Sequence, residues 1–409
     1  MHRLLLVLVL VIVIGPAGFA ESAIRRGRDS SALIREIDRS LSRAAWFMLN
    51  RQSADGAWRS RTYGVFRDGP TITPHVLNAL HFIPHGGERG KVHFKKGMRY
   101  LASLVDDKGG IKGNLNYPVL TAAGACRLLQ LGEQTSENRR RHSAWLAYLR
   151  TYRLNNNLGW KPSDAEFGGW GFSIFPPRKP GVGQENRPFT ESNLLATLYG
   201  ILGLMSARVS TDSAEFRETL SFVKRCQNFV ENPAEADPRF DDGGFFFIPG
   251  DVVQNKGGSA GKDQKGRDRF NSYGSMTADG IRALIRCGLP AEHPRVLAAR
   301  KWLETNFLPA SHPGTFAPNR EVMREATYYY YVWAVSHAFL ALKTRALQTA
   351  AGSVDWAESL SEAIIRRQRQ DGSWINRYTD SREDDPLVST PLAASALAIC
   401  RLILAQPRP

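Results

Sequence analysis

Three carboxylates stand beside runs that are otherwise apolar: Glu191 ahead of residues 194–204, Asp279 inside 273–287, and Glu325 ahead of 328–342. A carboxyl group held in apolar surroundings keeps its proton to higher pH and can act as a general acid. For each of the three the plainer reading is a rim carboxylate favoured by a helix N-terminus. Asp279 and Glu191 are the acids on which chemistry would rest. Polar residues gather at the same helix starts, among them Asn193, Tyr273 and Thr277, and most such residues are caps. The run Tyr328-Tyr329-Tyr330-Tyr331, followed by Trp333, offers aromatic faces that line a cavity for a hydrocarbon or steady a cation. Packing one helix layer on another is the alternative use. The expected ligand-facing set is therefore Asn193, Tyr273, Thr277, Tyr328, Tyr329 and Trp333.

Other chemistry finds little support. His81 and His85 flank Pro84 at a helix end, with His93 beyond, so no metal site is expected. Serine-nucleophile and zinc-protease motifs are absent, and no cofactor is implied. Residues 249–271 carry Gly257, Gly258, Gly261 and Gly266 among Lys256, Lys262, Lys265, Arg267 and Arg269. No glycine spacing there matches a phosphate loop, so a solvated lid is favoured over an anion cradle.

The elements that must position these residues announce themselves by repetition. Gln52, Gly56 and Trp58 recur in identical spacing as Gln368, Gly372 and Trp374. Each copy reads as a helix end, a tight turn and an anchor: the Gln bonds the last free carbonyls, the Asp-Gly pair turns the chain, and the indole fills the joint. The unit is helix, turn, loop, helix, and it recurs with drifting turns at 107–110, 168–172 and 241–245. About six helical hairpins result, over residues 31–405. In each, the first helix carries a charged stripe and the second is apolar over most of its circumference, as in 121–126, 194–204, 330–342 and 392–404. Outer and inner helices alternating six times close into a double-walled ring. The expected fold is a single all-α domain, an α/α toroid.

Residues 1–20 are different in kind. His2 and Arg3 precede an apolar run to Ile14, then Gly15-Pro16 and a small-residue end, which reads as a secretory signal cleaved after Ala20 or Ala23. Export, to the periplasm or outside the cell, is the expectation, and no further stretch is expected to span a membrane. The four cysteines, Cys126, Cys226, Cys287 and Cys400, fall in apolar helical runs and read as buried thiols; export leaves a disulfide as the alternative. The 409 residues carry a net charge of +15, which suits an anionic surface or simple solubility. Nothing suggests a nucleic-acid module.

The repeated Gln…Gly…Trp turns, with Gly168-Gly169-Trp170 and Asp242-Gly243-Gly244-Phe245 between them, resemble the repeats of squalene–hopene and oxidosqualene cyclases and of prenyltransferase β-subunits. The resemblance implies one toroid. It does not carry over the catalytic groups. The cyclases' D-x-D-D-T-A acid motif corresponds to residues 273–278, where Thr277 and Ala278 survive and the aspartates do not; Asp279 is the stand-in. Of the prenyltransferase zinc ligands, Asp268 has an echo while Phe270 takes the cysteine place and Val388 that of the histidine. The expected function is an exported toroid that binds an apolar or isoprenoid ligand, or a partner, in its centre. The alternatives are a divergent cyclase using Asp279 or Glu191, and a polysaccharide lyase or hydrolase.

Overall fold

The computed structural model describes residues 30–407 except 84–86, 182, 185–186, 252 and 350–351. The segment read as a secretory signal lies outside these, as do Pro84 and His85.

Helix α1 (Ser30–Leu49) buries Leu33, Ile37, Leu41, Ala44 and Met48, spaced by three and four, and turns its charges outward. It is followed by α2 (Ile72–Phe82), α3 (Gly87–Ser103), α4 (Pro118–Leu131), α5 (Ser136–Arg150), α6 (Leu194–Ser206) and α7 (Ala214–Arg225). Then come α8 (Gly274–Arg286), α9 (Pro294–Thr305), the short α10 (Val322–Ala326), α11 (Tyr328–Ala341), α12 (Trp356–Arg366) and α13 (Pro386–Leu404). Start signals are local and chemical. Thr135, Ser213 and Asp355 cap α5, α7 and α12 with side-chain oxygens, and Pro118, Pro294 and Pro386 open α4, α9 and α13.

Helices α2, α4, α6, α8, α11 and α13 pack each against the next, and α13 packs back onto α2. They form a closed inner wall. Helices α1, α3, α5, α7, α9 and α12 lie outside it, each against an inner helix. The six-hairpin α/α toroid read from the sequence is the fold. Because inner and outer helices alternate along the chain, the inner helices run in one direction; the loops leading into them, which include the longest, gather at one mouth, and the links into the outer helices, mostly short, lie at the other.

One joint is built four times. The backbone N–H of Trp58, Trp170, Phe245 and Trp374 donates to the hydroxyl of Thr73, Thr197, Thr277 and Thr390 on the following inner helix, at 3.0–3.1 Å. The indole N–H of Trp58, Trp170 and Trp374 donates to a terminal carbonyl of the preceding outer helix, on Met48, Leu149 and Ile364. The glutamine does a different task from the one its position suggested. Gln52 donates to Gly56 O and to His93 O in the adjacent outer helix; Gln227 likewise reaches Gly243 and Arg295, and Gln368 reaches Gly372 and Ser40, all at 2.8–3.0 Å. Each glutamine thus stitches one outer helix to the next. Gly56 and Gly372 have φ of 98° and 89°, and a Cβ on either would stand 2.4 Å from a carbonyl oxygen of that neighbour, Lys96 or Arg43.

Two strand pairs interrupt the helices. Strands β1 (Ser259–Lys262) and β2 (Asp268–Phe270) form a hairpin in the Gly- and Lys-rich loop, and β3 (Ala346–Thr349) pairs β4 (Gly352–Asp355) ahead of α12. In the first hairpin Lys262 pairs Asp268, Arg267 pairs Asp263 and Arg269 pairs Asp241, so three of its cations already hold carboxylates. The four cysteines are buried and free. Helix α13, 19 residues with a mean hydropathy of 1.9, is long and apolar enough to cross a membrane. Its apolarity has another cause here, since it packs against α1, α2, α11 and α12 in the inner wall.

Candidate functional site

The inner helices are buried on nearly every side, yet α2, α6, α11 and α13 keep a stripe of partly accessible residues three or four apart, whereas α8 is buried from Gly274 to Leu284. On α6 these include Leu195, Tyr199 and Leu202; on α11, Tyr330, Trp333 and His337; on α13, Ser395, Ala398 and Leu402. Helix α2 adds His75 and Asn78, and α4 adds Leu120 and Arg127. Side chains deep in the ring that still meet solvent line its central space.

Asp279 stands in this wall, on α8, fully buried. One carboxylate oxygen accepts a hydrogen bond from Arg282 Nη1 at 2.8 Å, and the other accepts from the Tyr330 hydroxyl at 2.5 Å. Burial pushes the carboxyl upward, while Arg282 and the Tyr330 bond oppose that rise. The Arg282 guanidinium lies 4.4 Å from the centre of the Trp333 ring, a cation–π contact in which the indole also shields it from water. Arg286, one turn further along α8, and Arg127, from α4 on the other side of α6, share the same space and repel Arg282 electrostatically. Desolvation, with this mutual repulsion, pulls Arg127 down to about 10 and Arg286 to about 9. His337 is held neutral, well below its usual range, by burial and by the same three arginines. Its Nδ1 hydrogen-bonds the Trp333 carbonyl.

Residues 376–385 lie across several hairpins at the long-loop mouth. Glu383 is buried and accepts the backbone N–H groups of Tyr329 and Tyr330 at 2.9 and 2.7 Å, at the start of α11. Asp384 accepts from the Tyr63 hydroxyl, and Asp385 binds Ser60 while capping α13. Arg382 bonds the Tyr117 hydroxyl and lies over Phe66 and Tyr63. The sixth hairpin is thereby tied to the first, second and fifth. Rings continue from Tyr63 through Phe66, Tyr117 and Phe172 to Phe247.

The residues singled out in the sequence are placed as follows. Asp279 and Trp333 lie in the central wall together. Thr277 is spent on the joint to Phe245, and Asn193 caps α6 by accepting from Ala196 N. Tyr273 is fully buried at the start of α8, edge-on to His312. Tyr328 is buried, donates to Pro309 O and is stacked by Arg367. Tyr329 is buried against Tyr328. Of the tyrosine run, Tyr330 reaches Asp279. Glu191 lies in the loop ahead of α6, where its charge acts on Glu166. Glu325 pairs Arg367 at 3.7 Å. Sequence reading missed Arg127, Tyr199, Arg282, Arg286 and His337. The available signal was spacing, 279-282-286 on one helix and 330-333-337 on another, each a polar stripe at i, i+3, i+7. Among the described residues no group of three or more His, Cys, Asp or Glu is arranged to hold a metal.

No protein-family model matches the sequence, and no curated protein matches it either. Solved structures do. The apo form of the type II terpene cyclase MstE from Scytonema is 14% identical, with a TM-score of 0.53 over 90% of this chain and 99% of that one. A variant of that cyclase in complex with its product, merosterolic acid A, gives 0.55 at 12% identity over 91% and 99%. An inactive variant of the α-1,6-mannanase GH76A of Salegentibacter, in complex with α-1,6-mannotriose, gives 0.52 at 10% identity over 92% and 100%. The chain thus has the α/α-toroid fold found in a terpene cyclase and in a glycosidase alike. At such identities the likeness extends to the fold and not to the chemistry.

Proposed function

We propose that the ring holds an apolar or isoprenoid ligand in its central space and does not cyclise it by proton transfer. The observation that carries this reading is the engagement of Asp279. An acid that protonates an alkene must be neutral and must present its O–H to the carbon, whereas both Asp279 oxygens accept hydrogen bonds from Arg282 and Tyr330. A cation growing beside Arg127, Arg282 and Arg286 would be repelled, the reverse of the electrostatic support such a reaction needs. Binding remains well supplied, since Tyr199, Leu202, Trp333 and Ala398 offer apolar and aromatic surface at several depths. Residues 1–20, read as a secretory signal, would place this site in the periplasm or outside the cell.

Native mass spectrometry of the mature chain purified from its own host, followed by lipid extraction, tests the proposal. A stoichiometric polyisoprenoid or other apolar adduct is expected. A ring that carries no such adduct and takes up none from a hydrophobic extract of that host would overturn it. A glycan-directed reading has one observation in its favour, the series of partly accessible rings from Tyr63 to Phe172 beside Asp384 at the long-loop mouth. Cleavage of an exported polysaccharide, abolished by Asp384→Asn, would favour that reading instead.

A further inference from the structure

The central space holds more positive charge than it can neutralise from within. Arg127, Arg282 and Arg286 act on one another there, and Asp279 is the carboxylate bonded to the group. Three cations against one anion leave two charges over. Such an excess in a desolvated site is costly unless an anion completes it. Other partners do not meet this need. Arg282 is 3% exposed, its Nη1 is taken by Asp279, and its Nε is buried with no hydrogen-bond partner. Arg127 lies over the face of Phe82 and not on a carboxylate. His337, held neutral beside all three, contributes no counter-charge.

The arginines come from two inner helices that flank a third. Arg127 is on α4 and the other two on α8, with α6 between them, so a group placed between Arg127 and Arg286 lies across the inner face of α6. All three are in the second half of their helices, towards the short-link mouth. Above them the partly accessible residues include Leu120, Leu195, His75 and Tyr330, and Arg382 lies over the rings of Tyr63 and Phe66 at the long-loop mouth.

We propose that Arg127, Arg282 and Arg286 form a receptor for the anionic head group of an amphiphile whose apolar body fills the space above, towards the long-loop mouth. This rests on the cavity-binding reading above and adds the class of ligand. The matching head group carries one or two negative charges, a carboxylate or a phosphate monoester. Guanidinium forks bind either through paired N–H donors, and Arg127 and Arg286, both partly accessible, are the ones that can supply them, with Arg282 behind as a fixed charge. Tyr199 and Tyr330, on the flanking helices, bound the site without adding negative charge, since burial pushes both hydroxyls well up, the first to about 12.

Three ligands with one apolar body separate the outcomes: farnesol, farnesoic acid and farnesyl monophosphate, titrated into the mature full-length chain by calorimetry, with inorganic phosphate as a fourth. At least one of the two anionic forms is expected to bind ten- to a hundredfold more tightly than farnesol, and inorganic phosphate far more weakly than farnesyl monophosphate. Arg286→Met and Arg127→Met should each remove most of that advantage and leave farnesol affinity within about twofold, which a merely unfolded variant would not do. Equal binding of all three farnesyl compounds would overturn the anion receptor and leave the apolar cavity standing. An advantage untouched by both substitutions would overturn the assignment to these arginines. Inorganic phosphate binding as tightly as farnesyl monophosphate would overturn the amphiphile, pointing to free phosphate as the ligand. Failure of every ligand would overturn the receptor together with the cavity-binding reading.

Discussion

Glu383 puts a carboxyl group where water cannot reach it, and burial pushes it up to about 8 although two backbone N–H groups and Asn376 favour its charged form. In the unfolded chain it titrates near the ordinary value of roughly 4.3. Between those two values the native state holds a proton that the unfolded state has released. Stability is therefore fully present below the lower value and falls as pH rises, by up to about 1.4 kcal/mol per unit, levelling above pH 8. Urea midpoints of the wild type measured from pH 5 to 9 should fall, and Glu383→Gln should flatten that slope, because the amide never ionises. An unchanged slope in the variant would assign the fall to other groups. At this scale the sequence was legible in part. Asp279 stands out as a carboxylate in an apolar helix, but Arg127, which shares its cavity, is 152 positions away in the chain. The packing of α6 against both helices brings α4 near α8, and no local pattern encodes that approach.

Among the elements, the tryptophan joint is the part most open to test. Trp58 and Trp374 are fully buried, donate through backbone and indole N–H groups, and fill the space between one outer and one inner helix. Trp58→Ala and Trp374→Ala should each cost roughly 3–5 kcal/mol in chemical denaturation. Thr73→Val and Thr390→Val, which keep the volume and remove one acceptor, should cost only about 1–2 kcal/mol. Tryptophan losses no larger than the threonine ones would mean that the indoles are not the anchors. Two copies of the joint were legible because five residues separate Gln from Trp in each. The copies at Trp170 and Phe245 were seen only as degenerate turns. Loops inserted between the bridged residues, Arg153 to Trp170 and Gln227 to Phe245, stretch the spacing while the backbone pairing survives. The lesson at Asn193 and Thr277 is related. A polar residue at the start of an apolar helix looks the same in sequence whether it caps, joins or binds, and here both serve the backbone.

For the whole molecule, closure sets how the ends behave. In an open stack of hairpins the first and last units have one neighbour each and fray. Here α1 lies against α12 and α13, and Arg401 bonds Asp38 across 363 positions. Amide hydrogen exchange under native conditions should therefore protect the buried faces of α1 and α13 within about tenfold of α6 and α8. Protection graded downward from the middle hairpins to the ends would show that the wall opens at its seam. Hairpin count and inner–outer alternation were legible from periodicity, since burial on two sides writes itself as apolarity around a helix. The closing loop at 376–385 was not, because its work consists of contacts with hairpins one, two and five.

The seam itself carries one more meaning. Gln368 joins the last outer helix to the first, through Ser40, with the same two bonds that Gln52 and Gln227 use between consecutive helices. Geometrically, then, no hairpin is the first. Where translation starts is a property of the gene, and the folded ring would accept a different starting hairpin as readily, provided the cut fell in one of the short links.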